Sequence, residues 1–229
     1  MKQTPEQTNP QLLWLVRHGE STSNCARQKA EAEKLLTIDF PEREPDVPLS
    51  DLGIEQAVSI GRWFRFQKVK PTVAVSSPFV RASETARIIA ETARFENQQV
   101  VLDERLRERE LGIFDRLTKL GAYQKYAEEC AKREHLGKFY HRPPNGESWA
   151  DVALRVRNFR HDLRLDYAGE KVLIVTHEVV IRVFRYVLEN LTEKEILAID
   201  AACDVGNCAV TSYHFSEKSA RLEHDNFFP

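Results

Sequence analysis

Apolar residues in this chain fall in short runs. Leu12 to Val16, Thr72 to Ser76, Val100 to Leu102 and Val172 to Thr176 are near-continuous stretches of strand length. Such runs suit strands covered on both faces, because a half-exposed strand alternates apolar with polar. Cys208 to Phe215 alternates in part and predicts a fifth strand, at the edge of the sheet. Between the runs the apolar spacing is helical. Ser50 predicts the N-cap of a helix to about Phe66, and Ser77-Pro78 pairs a cap with a first-turn proline before a helix to about Ala93. Ser148-Trp-Ala-Asp151 is a capping-box variant opening a helix to about Leu165, and Thr192-Glu-Lys-Glu195 fits the same signature. Strands alternating with helices predict a three-layer α/β/α fold with a mostly parallel central sheet.

The stretch Asp115 to Pro144 breaks this rhythm. It is charged, rich in Tyr and His, helical in its first half, and ends in a Pro-Pro-Asn-Gly turn. It is expected as a helical insertion over one edge of the sheet. Residues 1–10 are polar and read as a loose lead-in without the apolar stretch of a signal peptide. Residues 11–229 are expected to form a single domain.

Composition narrows the function. With 42% apolar residues in 229 a sizeable core can be buried, and a net charge of −2 offers no global attraction for nucleic acid or membrane. The apolar runs are far short of the ~20 residues a membrane span needs. The four cysteines make no CxxC pair, so free thiols in a reducing cytoplasm are expected.

The strand ends carry the chemistry. In open α/β sheets ligands sit beyond the carboxyl ends of the strands. The first strand runs into Arg17 and His18, and the second into Ser76-Ser77-Pro78 with Arg81 one turn further. The third is followed by Glu108, and the fourth ends at His177. If these strands are parallel, two arginines, two histidines and a carboxylate meet at one edge. That set suits a phosphate, since the guanidinium fork matches phosphate oxygens. Gly19 is expected to let the chain turn tightly after His18. Taken singly, each residue has a plainer explanation; ERLRERE around Glu108, for one, reads as a solvated charge run. Their combination and order carry the signal. Glu110 competes with Glu108 on chemistry alone. No HxxxH or Cys/His spacing supports a metal site at His18 and His177.

Several motifs resemble one family. LVRHGESTSN (residues 15–24) is similar to the RHG signature of the histidine phosphatases, which include cofactor-dependent phosphoglycerate mutase. Asp46-Val-Pro-Leu-Ser-Asp-Leu-Gly53 with Gln56-Ala57, Ser76 to Ala86, Leu106 to Gly112, Pro144 to Ser148 and Val172 to His177 follow in the family's order. The resemblance spans nearly the whole chain and implies a phosphoglycerate mutase-like fold. It implies His18 as a nucleophile forming phosphohistidine and Glu108 as general acid and base. It also implies Arg17, Arg81 and His177 as holders of the phosphoryl oxygens, with Asn24 beside them. Ser21, Thr22 and Glu147 either line the site or cap and turn the chain. The implied ligand is a small phosphomonoester, with no metal and no organic cofactor.

The chain also departs from the family. Thr176-His177-Glu178-Val179 stands where T-H-G-G is common, placing a carboxylate beside an anion site. Ser23 and Val80 replace groups usual in the mutase branch. A phosphatase is therefore expected first. A mutase, or a weakly catalytic phosphate-binding regulator, is the alternative. Arg116, Lys119, Tyr123, Lys125, Tyr126, Lys138, Tyr140, His141 and Arg142 in the insertion are candidates for a substrate lid. Phe227 and Phe228 are expected to pack on the body or on a partner; the oligomeric state is left open.

Overall fold

A computed structural model describes residues 9–216 and 219–229. Among these residues six strands form one sheet: β1 (Leu12–Arg17), β2 (Val73–Ser76), β3 (Val100–Leu102), β4 (Lys171–Thr176), β5 (Val210–Phe215) and β6 (Ala220–Phe227). Their order is β3-β2-β4-β1-β5-β6. The first four run parallel, and β5 and β6 close one side antiparallel. The apolar runs are continuous because alternate residues face two separate cores. Leu13, Leu15, Val172 and Ile174 point to one face; Leu12, Trp14, Val16, Leu173 and Val175 point to the other.

Helices cover both faces. They are α1 (Thr22–Ala32), α2 (Asp51–Phe66), α3 (Val80–Ala93), α4 (Lys119–Lys125), α5 (Ala127–Leu136), α6 (Trp149–Asp166), α7 (Glu178–Leu188) and α8 (Glu193–Ala202). Residues of α2 and α3 fill one core, and those of α6 and α7 the other. Ser50 caps α2, and capping boxes open α6 and α8 as the sequence predicts.

Four expectations need correction. The strand at Cys208 to Phe215 is not an edge: β5 lies between β1 and β6, and Val210–Tyr213 are buried. The edge on that side is β6, whose exposed Arg221, Glu223 and Asp225 are of the charged kind that discourages edge-to-edge pairing. Helix α3 starts at Val80 with Phe79 as N-cap and no side-chain cap, two residues later than the Ser77 cap predicts. Helix α1 carries no apolar stripe and buries only Ala30, so periodicity did not reveal it. The insertion does contain α4 and α5, but its recorded contacts are not along a strand edge. Thr118 donates to Leu35 O, Arg116 to Phe40 O, and Lys138 pairs with Asp200 of α8.

The expected lead-in lies outside the described residues up to position 8. Asn9 and Pro10 are held, with Gly169 N donating to Asn9 O and Pro10 buried. At the other end, Phe228 lies over Gly206, where a Cβ would come within 2.1 Å of its ring. No described helix is long and apolar enough to cross a membrane.

Candidate active site

Strand pairing carries His18 into place. Its N–H donates to Thr176 O at 3.0 Å, continuing the β1–β4 ladder one residue past β1. The chain then turns under α3, where Gly19 N–H donates to Thr85 Oγ1 at 3.0 Å and that hydroxyl donates to Arg81 O. Gly19 is not in the left-handed region. What it supplies is closeness, for a Cβ there would sit 2.4 Å from Gly53 O. The R-H-G and L-G motifs thus meet backbone to backbone.

The His18 ring is buried, with Nδ1 at 2.7 Å from Gly19 O. A carbonyl can only accept, so Nδ1 carries the proton and Nε2 keeps its lone pair. Burial first, then the Arg81 and Arg17 charges, hold this histidine well below its ordinary pKa; the Gly19 carbonyl opposes them. His18 is therefore a neutral imidazole in a cationic surrounding.

The two arginines are not bare. Arg17 Nη1 donates to Val205 O and lies 3.6 Å from Glu178 Oε2, while Arg17 Nε is buried with no partner among the described residues. Arg81 donates to Glu44 O at 2.6 Å and to Glu44 Oε2 at 3.2 Å, which leaves three of its five N–H groups uncommitted to Glu44. Burial lowers the pKa of Arg81 and raises that of Glu178, Arg17 opposing the latter.

His177 is fully buried behind His18, ring centroids 5.1 Å apart, and is not part of the cavity wall. Its Nε2 is 2.8 Å from Ser77 Oγ, which also accepts from Phe79 N–H. His177 Nδ1 is buried and has no partner among the described residues. Such an orphan polar atom is costly unless something fills it.

Glu108 sits on a loop fastened from three sides. Thr176 Oγ1 donates to Leu106 O at 2.7 Å. Glu147 accepts from Arg107 Nη2, Arg155 Nε and Glu110 N. Gly112, at φ +56°, brings the loop end against Pro144 O. Glu147 is thus a brace for the loop and does not line the cavity. Glu108 does line it and accepts from Arg109 N–H at 2.8 Å.

These groups open into a cavity of about 420 Å³. Arg17, His18, Asn24, Arg81 and Glu108 line it, and so does Glu178; Ser21 and Thr22 do not. Ser21 is the buried N-cap of α1. Asn24 Oδ1 accepts from Ser21 N, Ser21 Oγ and Asn207 Nδ2, leaving its NH₂ with capacity to spare. Of the proposed lid residues, only Arg116 reaches the wall. The others that pair do so elsewhere: Tyr123 with Glu134, His141 with Glu129, Arg142 with Asp151.

Sequence reasoning missed Arg27, Glu44, Phe79 and Arg109 in this wall. Arg27 stands one turn after Asn24 on the unforeseen α1. Arg109 was hidden in the charge run; its Nε is buried and unpartnered, and burial lowers its pKa. The alternation of Glu108, Arg109 and Glu110 was the available signal.

His177 is also held well below its ordinary pKa, by burial, then Arg81, His18 and Arg17. The sign of the consequence is clear. Below pH ~6.5 the unfolded chain binds protons that the folded site refuses, so stability falls with pH by about 1.4 kcal/mol per unit for each histidine. Urea unfolding in phosphate-free buffer between pH 6 and 5 should show this loss, reduced by about 1 kcal/mol in His18→Gln. An unchanged pH slope in that variant would mean the folded site accepts the proton.

Comparison with known proteins gives a consistent picture. A model of the histidine phosphatase superfamily (branch 1) matches residues 13–227. A 2,3-bisphosphoglycerate-dependent phosphoglycerate mutase from Methylorubrum populi is 31% identical over 196 residues, 85% of this chain and 86% of that one. The structure of a mycobacterial glucosyl-3-phosphoglycerate phosphatase is 26% identical with TM-score 0.68, covering 93% of this chain and 96% of that one. The alpha-ribazole phosphatase from Shigella flexneri shares the fold at 22% identity and TM-score 0.74, over 94% and 96% of the two chains.

Proposed function

For this chain, which belongs to the histidine phosphatase superfamily (branch 1), we propose hydrolysis of small phosphomonoesters through a phosphohistidine on His18. It is an enzyme of the phosphatase and phosphoglycerate mutase class. One observation carries the phosphohistidine mechanism: a buried His18, held well below its ordinary pKa, with Nδ1 tied to Gly19 O and flanked by Arg17 and Arg81.

The Nε2 lone pair attacks phosphorus while the P–O bond to the leaving group breaks. Glu108, protonated, gives its proton to the departing oxygen. Water then attacks the phosphohistidine, Glu108 takes its proton, and the P–N bond breaks with its electron pair returning to Nε2. Arg17, Arg81 and Asn24 hold the equatorial oxygens, where developing charge is greatest. If the Ser77 hydroxyl donates to His177 Nε2, Nδ1 carries a proton and becomes an unpartnered donor, suited to a phosphoryl oxygen. Ser21 caps α1, and neither it nor Thr22 lines the cavity. The four free cysteines fit a cytoplasmic enzyme, read as one domain over residues 11–229.

The mutase reading is favoured by sequence relatives, several of them bisphosphoglycerate-dependent mutases at 31–32% identity. Ser23 and Val80 count against it. The experiment is a product assay: phosphate release from a phosphomonoester panel, alongside conversion of 3- to 2-phosphoglycerate with the bisphosphorylated activator. Phosphate release is expected to dominate and to persist with a metal chelator, because arginines supply the positive charge. Mutase turnover exceeding phosphate release would reverse the order, and loss of activity restored by one metal would refute the metal-free mechanism.

A further inference from the structure

The cavity carries as much negative charge as positive. Its wall holds five arginines and five carboxylates, an odd balance for a site that must take a phosphate dianion. Glu178 and Glu44 already stand on Arg17 and Arg81. Of the remaining cations, Arg109 stands beside Glu108 with its Nε unpartnered among the described residues, while the two nearer the Glu44 side are partly committed. Arg116 donates to Phe40 O and Glu42 O and lies 4.2 Å over the Phe40 ring. Arg27 is partly exposed, 4.0 Å from Glu31.

The carboxylates are less engaged. Glu44 has only the Arg81 guanidinium as a recorded side-chain partner, and Asp115 only the Arg116 main-chain N–H. They also act on each other: burial first, then Asp115 and Glu108, push the Glu44 carboxyl up against the pull of Arg81 and Arg27. Ile38, Phe40, Leu111 and Val179 complete the wall with apolar surface. At about 420 Å³ the space is in the range that holds a whole small molecule. A leaving group bearing a carboxylate would meet like charge here, whereas hydroxyl or ammonium groups would find acceptors.

We propose that Glu44, assisted by Asp115, selects phosphomonoesters whose leaving group carries no negative charge, such as a polyol or amino alcohol with an apolar body, and turns away phosphorylated sugar acids. This rests on the phosphomonoesterase reading above. Glu44 acts as a specificity determinant, and through Arg81 as a positioning residue.

Glycerol 1-phosphate and 3-phosphoglycerate make the test. They share a carbon skeleton and differ by a hydroxymethyl group against a carboxylate. Each competes against p-nitrophenyl phosphate hydrolysis at low salt. Glycerol 1-phosphate should inhibit more tightly by about tenfold, and the gap should shrink as salt screens the carboxylates. Glu44→Gln keeps the acceptor for Arg81 and should close the gap several-fold. A purely structural role would weaken both ligands alike and leave the ratio unchanged, which overturns the proposal, as does tighter inhibition by 3-phosphoglycerate. Failure of the wild type to hydrolyse p-nitrophenyl phosphate would count against the hydrolase reading instead. Calorimetric titration of the same pair then reads the preference, and equal affinities, or binding of neither, overturn it.

Discussion

His18→Ala is expected to lower phosphate release by about 10⁴–10⁶-fold, and no phosphoenzyme should form in it. In the wild type, quenching turnover in alkali should leave the phosphoryl group on His18, because a phosphoramidate survives base and decays in acid. The size of the loss follows from the mechanism: without Nε2 no covalent route exists, and the remaining arginines only bind. The pH profile gives a second check. Because burial and two arginines hold the His18 pKa well below its ordinary value, protonation of the nucleophile should not appear as an acid limb near pH 6.5 in the free enzyme. A limb at that pH which disappears with a histidine substitution, or label found on another residue, would break the assignment.

Glu108→Gln should slow phosphoenzyme formation by about 10²–10⁴-fold for alkyl phosphates and far less for p-nitrophenyl phosphate. An alkoxide leaves poorly without a proton; a nitrophenolate leaves well without one. Single-turnover measurement isolates this step, since Glu108 would also serve as base in the later attack by water. The brace around the loop bears on the outcome. Glu147 ties Arg107, Arg155 and Glu110 N together just beside Glu108, so the glutamine variant should keep the loop in place. Equal losses for both substrates would remove Glu108 from the acid's role and make Glu110, which also lines the cavity, the next residue to substitute.

What was legible in the sequence was local and patterned. β1, β2 and β4 showed because each has two buried faces and hence an unbroken apolar run; β3 showed by composition alone, since Val101 and Leu102 are exposed at the sheet's end. Three helix starts showed because their capping side chains bond within three residues along the chain. Helix α1 and strand β6 did not show, since neither has an apolar stripe; both are held by where they sit. The Ser77-Pro78 signal misplaced the start because the first helical acceptor is Phe79 O, two residues beyond Ser77, which takes the Ala82 and Ser83 N–H groups.

The site divides in the same way. Arg17, His18, Arg81, Glu108 and His177 each follow a strand end within a few residues, so a parallel sheet alone brings them to one edge. Sequence order therefore determined the family and the grouping of residues proposed as the phosphoryl cradle. Only the tertiary structure decided what surrounds the cradle. Glu44 reaches Arg81 across 37 positions, Val205 reaches Arg17 across 188, and Arg109 turns inward where its neighbours suggested solvent. These contacts come from loops, which have no period and no cap signature to announce them. Their partners are chosen by the packing of distant segments, and with them the charge that the leaving group must meet.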